Sequence, residues 1–384
     1  MNEEHKPDWD PRSESVLRDQ RAAFDEMRER CPVAYSEFMQ WSLFRHDDVT
    51  RALLDHESFS NAVSQHLSVP NGMDPPEHTA YRRIIEPYFA PQRIVAFEPT
   101  CREIVAELVR SALARGETEL MADFALPFAV RVQCAFLGWS PTVQELLVNW
   151  TRRNHEAALS QDRRAMAELA REFEGFIDDL LEVRRKAGAR PEDDITASLM
   201  HEEVRGRRLS NEEVASILRN WTVGEVGTIS AAVGILAHYL AQHAALQKEL
   251  RGQPSLLPAA IDEILRIHGP LVANRRITTR PVEIGGQRIA AGERISLIWM
   301  SANRDGRVFV DPDEFRPDRD PTKNLLYGAG IHVCPGAPLA RMELRVALEE
   351  VLKRTIEIQP VPGGCPVNAT YPASGFVTLP LRIR

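Results

Sequence analysis

The sequence predicts a mainly α-helical fold with small β-sheets, in one domain spanning residues 1–384. Three observations predict it. Apolar residues recur at helical spacing in seven segments, strand-like alternation is confined to three short stretches, and one aperiodic loop of about thirty residues precedes the last helix.

In chain order, the helical pattern covers 14–30, 46–55, 99–115, 143–158, 164–187, 211–242 and 338–354, each with a charged face opposite the apolar one. Alternation reads as strand near 33–44, in 282–299, where Gly285-Gly286 and Ala291-Gly292 supply turns, and in Gly375–Arg384. Residues 211–242 make the longest predicted helix. Ser210 and Glu213 form a capping box, and Val214, Ile217, Leu218, Trp221, Ile229, Val233, Leu236 and Leu240 keep the helical spacing over roughly 45 Å. Gly224, Gly227 and Gly234 each cost this helix about 1 kcal/mol relative to Ala, which calls for close approach of something flat to its backbone. From Asn303 to Gly336 the chain is dense in Asp, Pro, Gly and Arg, and loops that long in compact proteins are usually functional.

With 43% hydrophobic and 27% charged residues, the chain has the profile of a water-soluble enzyme with a sizeable core. A formal charge of -8 without any Lys/Arg-rich run opposes binding to phosphate backbones, so nucleic acid is not an expected partner. No window of about 18 uncharged apolar residues is read in the sequence, and Met1–Pro11 is polar and acidic without a hydrophobic signal core. The expectation is a cytoplasmic protein with no membrane partner. Cys31, Cys101, Cys134, Cys334 and Cys365 are odd in number, scattered and without a CxxC pair, which fits neither a disulfide framework nor a zinc site.

Cys334 is the exception in its surroundings. It lies between glycines, just ahead of a helix whose first turn holds Pro338, where unpaired backbone N–H groups and the helix dipole favour thiolate. The residues alone leave two readings open, a structural thiol in a tight turn or an anionic ligand. Tyr327-Gly328-Ala329-Gly330-Ile331-His332-Val333-Cys334-Pro335-Gly336, followed by Leu339-Ala340-Arg341, resembles the haem-binding signature of cytochromes P450, with Tyr327 where Phe is usual.

The resemblance implies that Cys334 is the axial thiolate ligand of haem b, flanked by Tyr327, Gly328 and Gly336. Glu263-Ile264-Leu265-Arg266 matches the family's ExxR unit, and Arg319 in Phe315-Arg316-Pro317-Asp318-Arg319 matches the arginine that joins it. These three are implied to brace the cysteine loop as a buried structural triad. His78 and Arg82 match an HxxxR unit, which with Arg276 and His332 would hold the haem propionates; Arg275 stays a rival to Arg276.

Counting back from the ExxR unit places Thr228 at the family's oxygen-binding threonine. The acid that usually precedes it is replaced by Gly227, and Glu225 is the nearest carboxylate, read here as the substitute in proton delivery. Gly224 would let the helix approach the haem. The implied architecture is the cytochrome P450 fold, with haem between the long central helix and the helix following the cysteine loop.

Val223, Val226, Leu271, Val272 and Phe376-Val377, with the loop before His78, would form a pocket for a small to medium, largely apolar organic substrate. Thiolate donation favours O–O cleavage, so the implied reaction inserts one atom of O2, by hydroxylation or oxidative dealkylation. The chain shows no flavin or iron–sulfur module, and electrons are expected from a separate ferredoxin or flavodoxin with its reductase, docking near Cys334. Two rival readings remain at this point. A peroxide-driven haem-thiolate enzyme would turn over without electron partners, and a non-catalytic haem sensor or carrier would show no substrate-stimulated electron consumption.

Overall fold

A computed structural model of the chain describes residues 6–384 except Gln65, Gln161 and Pro372. The first five residues of the acidic Met1–Pro11 segment thus lie outside the described residues. All seven predicted helices are present, with ends moved by identifiable local chemistry. The first splits at Asp19 into Glu14–Arg18 and Gln20–Arg30, because the Asp19 side chain accepts from the Ala22 N–H and caps a new start. The third begins at Pro91, a first-turn proline, and runs to Arg115 with Pro99 inside it. Glu77–Ile85, Leu126–Leu137, Ala244–Gly252 and Leu257–His268 are further helices. About 57% of the chain is helical, which fixes the class as mainly α.

The stretch 33–44 is a hairpin, Val33–Ser36 against Gln40–Leu43, turned through Gln40 at φ 57°. It forms one edge of a five-stranded sheet, in the order Val33–Ser36, Gln40–Leu43, Arg294–Ile298, Ala273–Thr278, Phe59–Ser60. Only the pairing of Gln40–Leu43 with Arg294–Ile298 is parallel. The Gly285-Gly286 turn closes a small separate hairpin, and at the C-terminal end Pro380–Ile383 lies between Ile358–Pro360 and Glu117–Glu119.

Asn211–Gln242 is a single helix of 32 residues with the capping box formed. By length and composition alone this helix could cross a membrane. Its apolarity has another physical source, since 61% of the relevant window is buried among other helices, and a helix surrounded by core is apolar all round. Gly234 owes its lack of a side chain to a close neighbour, because a Cβ there would lie 2.6 Å from Met121 Sδ. Beyond their own helix backbone and chain neighbours, Gly224 and Gly227 have no described atom within 4 Å of that position.

Among the described residues, buried apolar side chains gather in three clusters. The largest joins the long helices, a second lies under the sheet with Leu53, Trp41, Leu297 and Trp299, and a third joins Trp9, Phe24 and Phe44 to Val272 and Tyr371.

Candidate active site

A cavity of about 410 Å³ lies where the central helix, the ExxR helix Leu257–His268, the sheet and the cysteine loop meet. Cys334 opens into it from the loop side. The loop holds its shape through the Cys334 N–H bond to the Tyr327 carbonyl at 2.8 Å and through Gly330, at φ +72°. A Cβ at Gly330 would sit 2.4 Å from the Leu53 carbonyl oxygen, so only glycine fits that crossing. Burial raises the Cys334 pKa above its ordinary value, against the backbone N–H groups of Gly336 and Ala337 and against Arg82, which lower it. The helix-start effect expected from sequence is present but outweighed by desolvation. A coordinating metal ion would reverse that balance, since it deprotonates a thiol outright.

The loop ahead of Cys334 is tied to the ExxR helix. Arg266, 1% exposed, donates to both oxygens of Glu263 at 2.8 and 2.9 Å, and Arg319 Nε reaches Glu263 Oε1 at 2.9 Å. The same guanidinium groups bind loop carbonyls: Arg266 to Asn303 and Pro312, Arg319 to Val310 and Asp311. The three residues are brought together as the sequence anticipated, and the loop's irregular backbone is satisfied by their side chains.

Basic side chains gather at one rim. Arg276 is buried, lines the cavity and, among the described residues, bonds one neighbour's carbonyl, Arg275 O; desolvation, partly offset by Asp74, lowers its pKa to about 10. His332 and His78 lie with ring centroids 4.2 Å apart, each with its Nε2 buried and without a partner. Burial first, and then His78, Arg276 and Arg82, push His332 down to about 3. Arg82 lines the cavity and donates to the Val333 carbonyl and to Glu86. His78 does not reach the cavity wall itself; it backs His332. Arg275 turns the other way and donates to the Tyr371 hydroxyl at 2.8 Å.

On the opposite wall, Val223, Gly224, Glu225 and Thr228 of the central helix line the cavity with Leu271. The Thr228 hydroxyl donates to the Gly224 carbonyl one turn back. Glu225 is raised in pKa by burial, and it interacts with the carboxyl of Glu343, not with a base. Four expected pocket residues belong elsewhere, Val377 being exposed to solvent. Val226 is fully buried in the helical core, Val272 alternates away from Leu271 into the N-terminal cluster, and Phe376 packs against the His238 ring at 4.6 Å.

Comparison with known proteins gives the site its family. The family model for cytochrome P450 matches residues 147–384. The cyclomarin C epoxidase CymV of Salinispora arenicola is 34% identical over 354 residues, covering 88% of this chain and 89% of its own. The chain belongs to the cytochrome P450 family. The erythromycin C-12 hydroxylase of Saccharopolyspora erythraea is 33% identical over 85% of each chain. Among solved structures, the P450 CYP109E1 from Bacillus megaterium in complex with testosterone superposes with a TM-score of 0.84 at 28% identity, over 95% of this chain and 99% of that one. The protein is accordingly a bacterial-type P450 monooxygenase, an oxidoreductase that binds haem and small organic substrates and needs a source of electrons.

The residues of this P450 fit the haem that its family binds. A thiol opens into the cavity from one side, while the rim carries Arg276 without an ion pair among the described residues, Arg82 shared with Glu86, and the orphaned Nε2 of His332 backed by that of His78, a donor set suited to carboxylates. Two residues at this site were not found from sequence. Trp299 lines the same cavity, packs on Gly328 and keeps a buried indole N–H without a partner. Glu343 is fully buried behind the central helix. Its signal was available: Leu339, Glu343, Val346 and Glu350 fall on one stripe of the helix Ala337–Arg354, so two carboxylates occupy apolar positions.

Proposed function

We propose that this P450 is one haem domain, residues 1–384, that binds haem b with Cys334 as axial thiolate. Its reaction inserts one atom of O2 into a small to medium, largely apolar organic substrate, by hydroxylation or oxidative dealkylation. The observation that carries this reading is one cavity with Cys334 on its wall and the basic groups Arg276, Arg82 and His332 at its rim, Arg276 without an ion pair among the described residues. No Cys-x-x-Cys-His stretch occurs in the sequence, which favours the non-covalent b-type haem over a covalently attached one.

When bound, the haem supplies the oxidising chemistry, which thiolate donation turns towards O–O cleavage. The protein's residues do the rest. Arg276, Arg82 and His332, backed by His78, hold the two propionates, and the triad of Glu263, Arg266 and Arg319 keeps the loop of Cys334 in place. Gly224 leaves room against the central helix. Thr228, whose hydrogen is already given to the Gly224 carbonyl, offers its oxygen as an acceptor to a cavity water, and Glu225 delivers protons towards it. Monooxygenation consumes two electrons and two protons for each O2, one oxygen atom leaving as water. Val223 and Leu271 present apolar surface to the substrate, and relatives named as an epoxidase and a hydroxylase support oxygen insertion. A separate ferredoxin or flavodoxin with its reductase supplies the electrons in the cytoplasm, docking at the face nearest Cys334.

The test is spectroscopic. Reduced, carbon-monoxide-bound protein is expected to show the strongly red-shifted Soret band of a thiolate ligand, and Cys334→Ser to lose it. Retention of that band in the variant would overturn the assignment. A screen of apolar compounds for the change in haem spin state on displacement of axial water then defines the substrate class.

A further inference from the structure

The helix Ala337–Arg354 buries two glutamates, and they are treated very differently. Glu350 is neutralised by Arg102 at 2.8 Å and Arg354 at 2.7 Å. Glu343 has no cation partner among the described residues. It is 0% exposed, and neither of its carboxyl oxygens has a partner in good hydrogen-bond geometry. The group that acts on it is a second carboxyl, Glu225, reached across the contact between this helix and the central helix. Glu225 Oε1 is likewise closed from solvent and without a partner in good geometry, although the side chain lines the cavity. Cys101, Cys334 and Tyr327 are the other titratable groups within electrostatic reach of the two carboxyls, and none of them is a base that could neutralise both.

An ionised carboxylate only accepts hydrogen bonds, so two of them cannot bond to each other without a proton, and two buried negative charges in contact repel strongly. At least one of the pair must therefore be a neutral acid. The candidate is the one further from water. Glu225 borders the cavity, whereas Glu343 is shut in on every side and can only offer its O–H to Glu225.

We propose that Glu343 is a permanently protonated positioning residue that hydrogen-bonds Glu225 and makes Glu225 a usable proton donor to the cavity. The proposal rests on the reading of Glu225 as proton donor in a haem-thiolate monooxygenase, and adds the residue that tunes it. The proton balance is simple. The O–H bond of Glu225 breaks and its proton passes to a cavity water; the carboxylate left behind is stabilised by the Glu343 O–H, which does not break; Glu225 then recovers a proton from solvent through cavity water. Burial raises both carboxyls, while the bond from Glu343 pulls Glu225 back down. Without Glu343, desolvation alone would hold Glu225 so high that it seldom ionised, and a donor that seldom ionises transfers slowly.

The experiment uses the full chain. Infrared spectra of the substrate-free protein recorded at alkaline pH are expected to retain the C=O stretch of a buried neutral carboxyl after Glu225 has ionised, and the wild-type minus Glu343→Gln difference at that pH to show it as the band that is lost. Glu343→Gln keeps a neutral donor and is expected to preserve the pH profile of product formed per electron consumed. Glu343→Leu removes the donor and is expected to raise the apparent pKa of that profile by about one unit or more, tenfold in the equilibrium constant. An unchanged carboxyl band in Glu343→Gln overturns the proposal, and so does an unshifted profile in Glu343→Leu. Should Glu343→Leu fail to fold, the infrared comparison of wild type with Glu343→Gln decides alone. The carbon monoxide band of the same samples reports the haem-thiolate reading separately: its presence beside an unshifted profile sinks only the role of Glu343.

Discussion

Arg275 and Arg276 show how much one residue of register decides. On a strand, neighbours face opposite sides, so only one of the two can reach the cavity. Arg276 pairs opposite Ile295, is 3% exposed, and makes no ion pair among the described residues, Asp74 acting on it only at a distance. Arg275 is half-buried and engaged with Tyr371. Burying a guanidinium without an anion is costly, and a haem propionate would relieve that cost directly. Arg276→Ala is therefore expected to release haem to an acceptor such as apomyoglobin at least about tenfold faster, a loss of roughly 1.4 kcal/mol, which is modest for a charge-assisted bond. Arg275→Ala should leave the rate unchanged. Equal rates in the two variants would remove Arg276 from the propionate site. The sequence could state the alternation at this pair but not its phase, because the phase depends on which side of the sheet the cavity occupies.

At the scale of elements, the long loop from Asn303 to Gly336 raises the question of how an aperiodic segment holds a ligand still. Its backbone carbonyls at Asn303, Val310, Asp311 and Pro312 have no strand to bond to, and they are bound by the guanidinium groups of Arg266 and Arg319. Glu263 neutralises both arginines, and the Arg316 N–H also bonds to it. Removing the carboxylate leaves two cations facing each other in a dry site. Glu263→Ala is expected to cost on the order of 3–5 kcal/mol and to yield little haem-loaded protein. Normal haem content with an unchanged melting temperature would mean the triad does not brace the loop. This part of the site was legible because loop and triad carry specific motifs. Leu126–Leu137 was not, since a helix buried on most of its surface, with Phe128, Val132 and Phe136 alongside Ala129 and Val130, has no polar face to betray its period. The 14–30 helix looked continuous because a side-chain cap such as Asp19 does not interrupt an apolar pattern. Glu225 and Thr228 were found by counting, but that Glu225 meets an acid and not a base depends on how two helices cross, which no single segment encodes.

For the whole molecule, the cavity lies on a seam between separate cores. Leu53 and Trp299 come from the cluster under the sheet, whereas Phe89, Ile229, Leu265 and Leu339 come from the helical cluster, and all six line the same space. A rigid apolar group placed there touches both cores at once and adds to each the burial it lacks on that side. Its carboxylates would also neutralise Arg276 and add an anion beside Arg82, which already pairs with Glu86; without them both arginines act on His332. Removing haem therefore weakens the parts that depend on the seam and spares the parts that do not. In hydrogen exchange, the haem-free protein is expected to lose protection in Glu77–Ile85, in residues 321–336 and at the cavity end of Ala273–Thr278. Leu126–Leu137 and residues 211–222 of the central helix, which pack on other helices through Phe128, Val214 and Leu218, should keep theirs. Adding haem back is expected to restore protection and to raise the melting temperature with haem concentration, as any ligand specific to the folded state must. A uniform rise in exchange across both cores would show that haem holds the entire fold together and not the seam alone, and no change in any segment would place the haem outside this cavity.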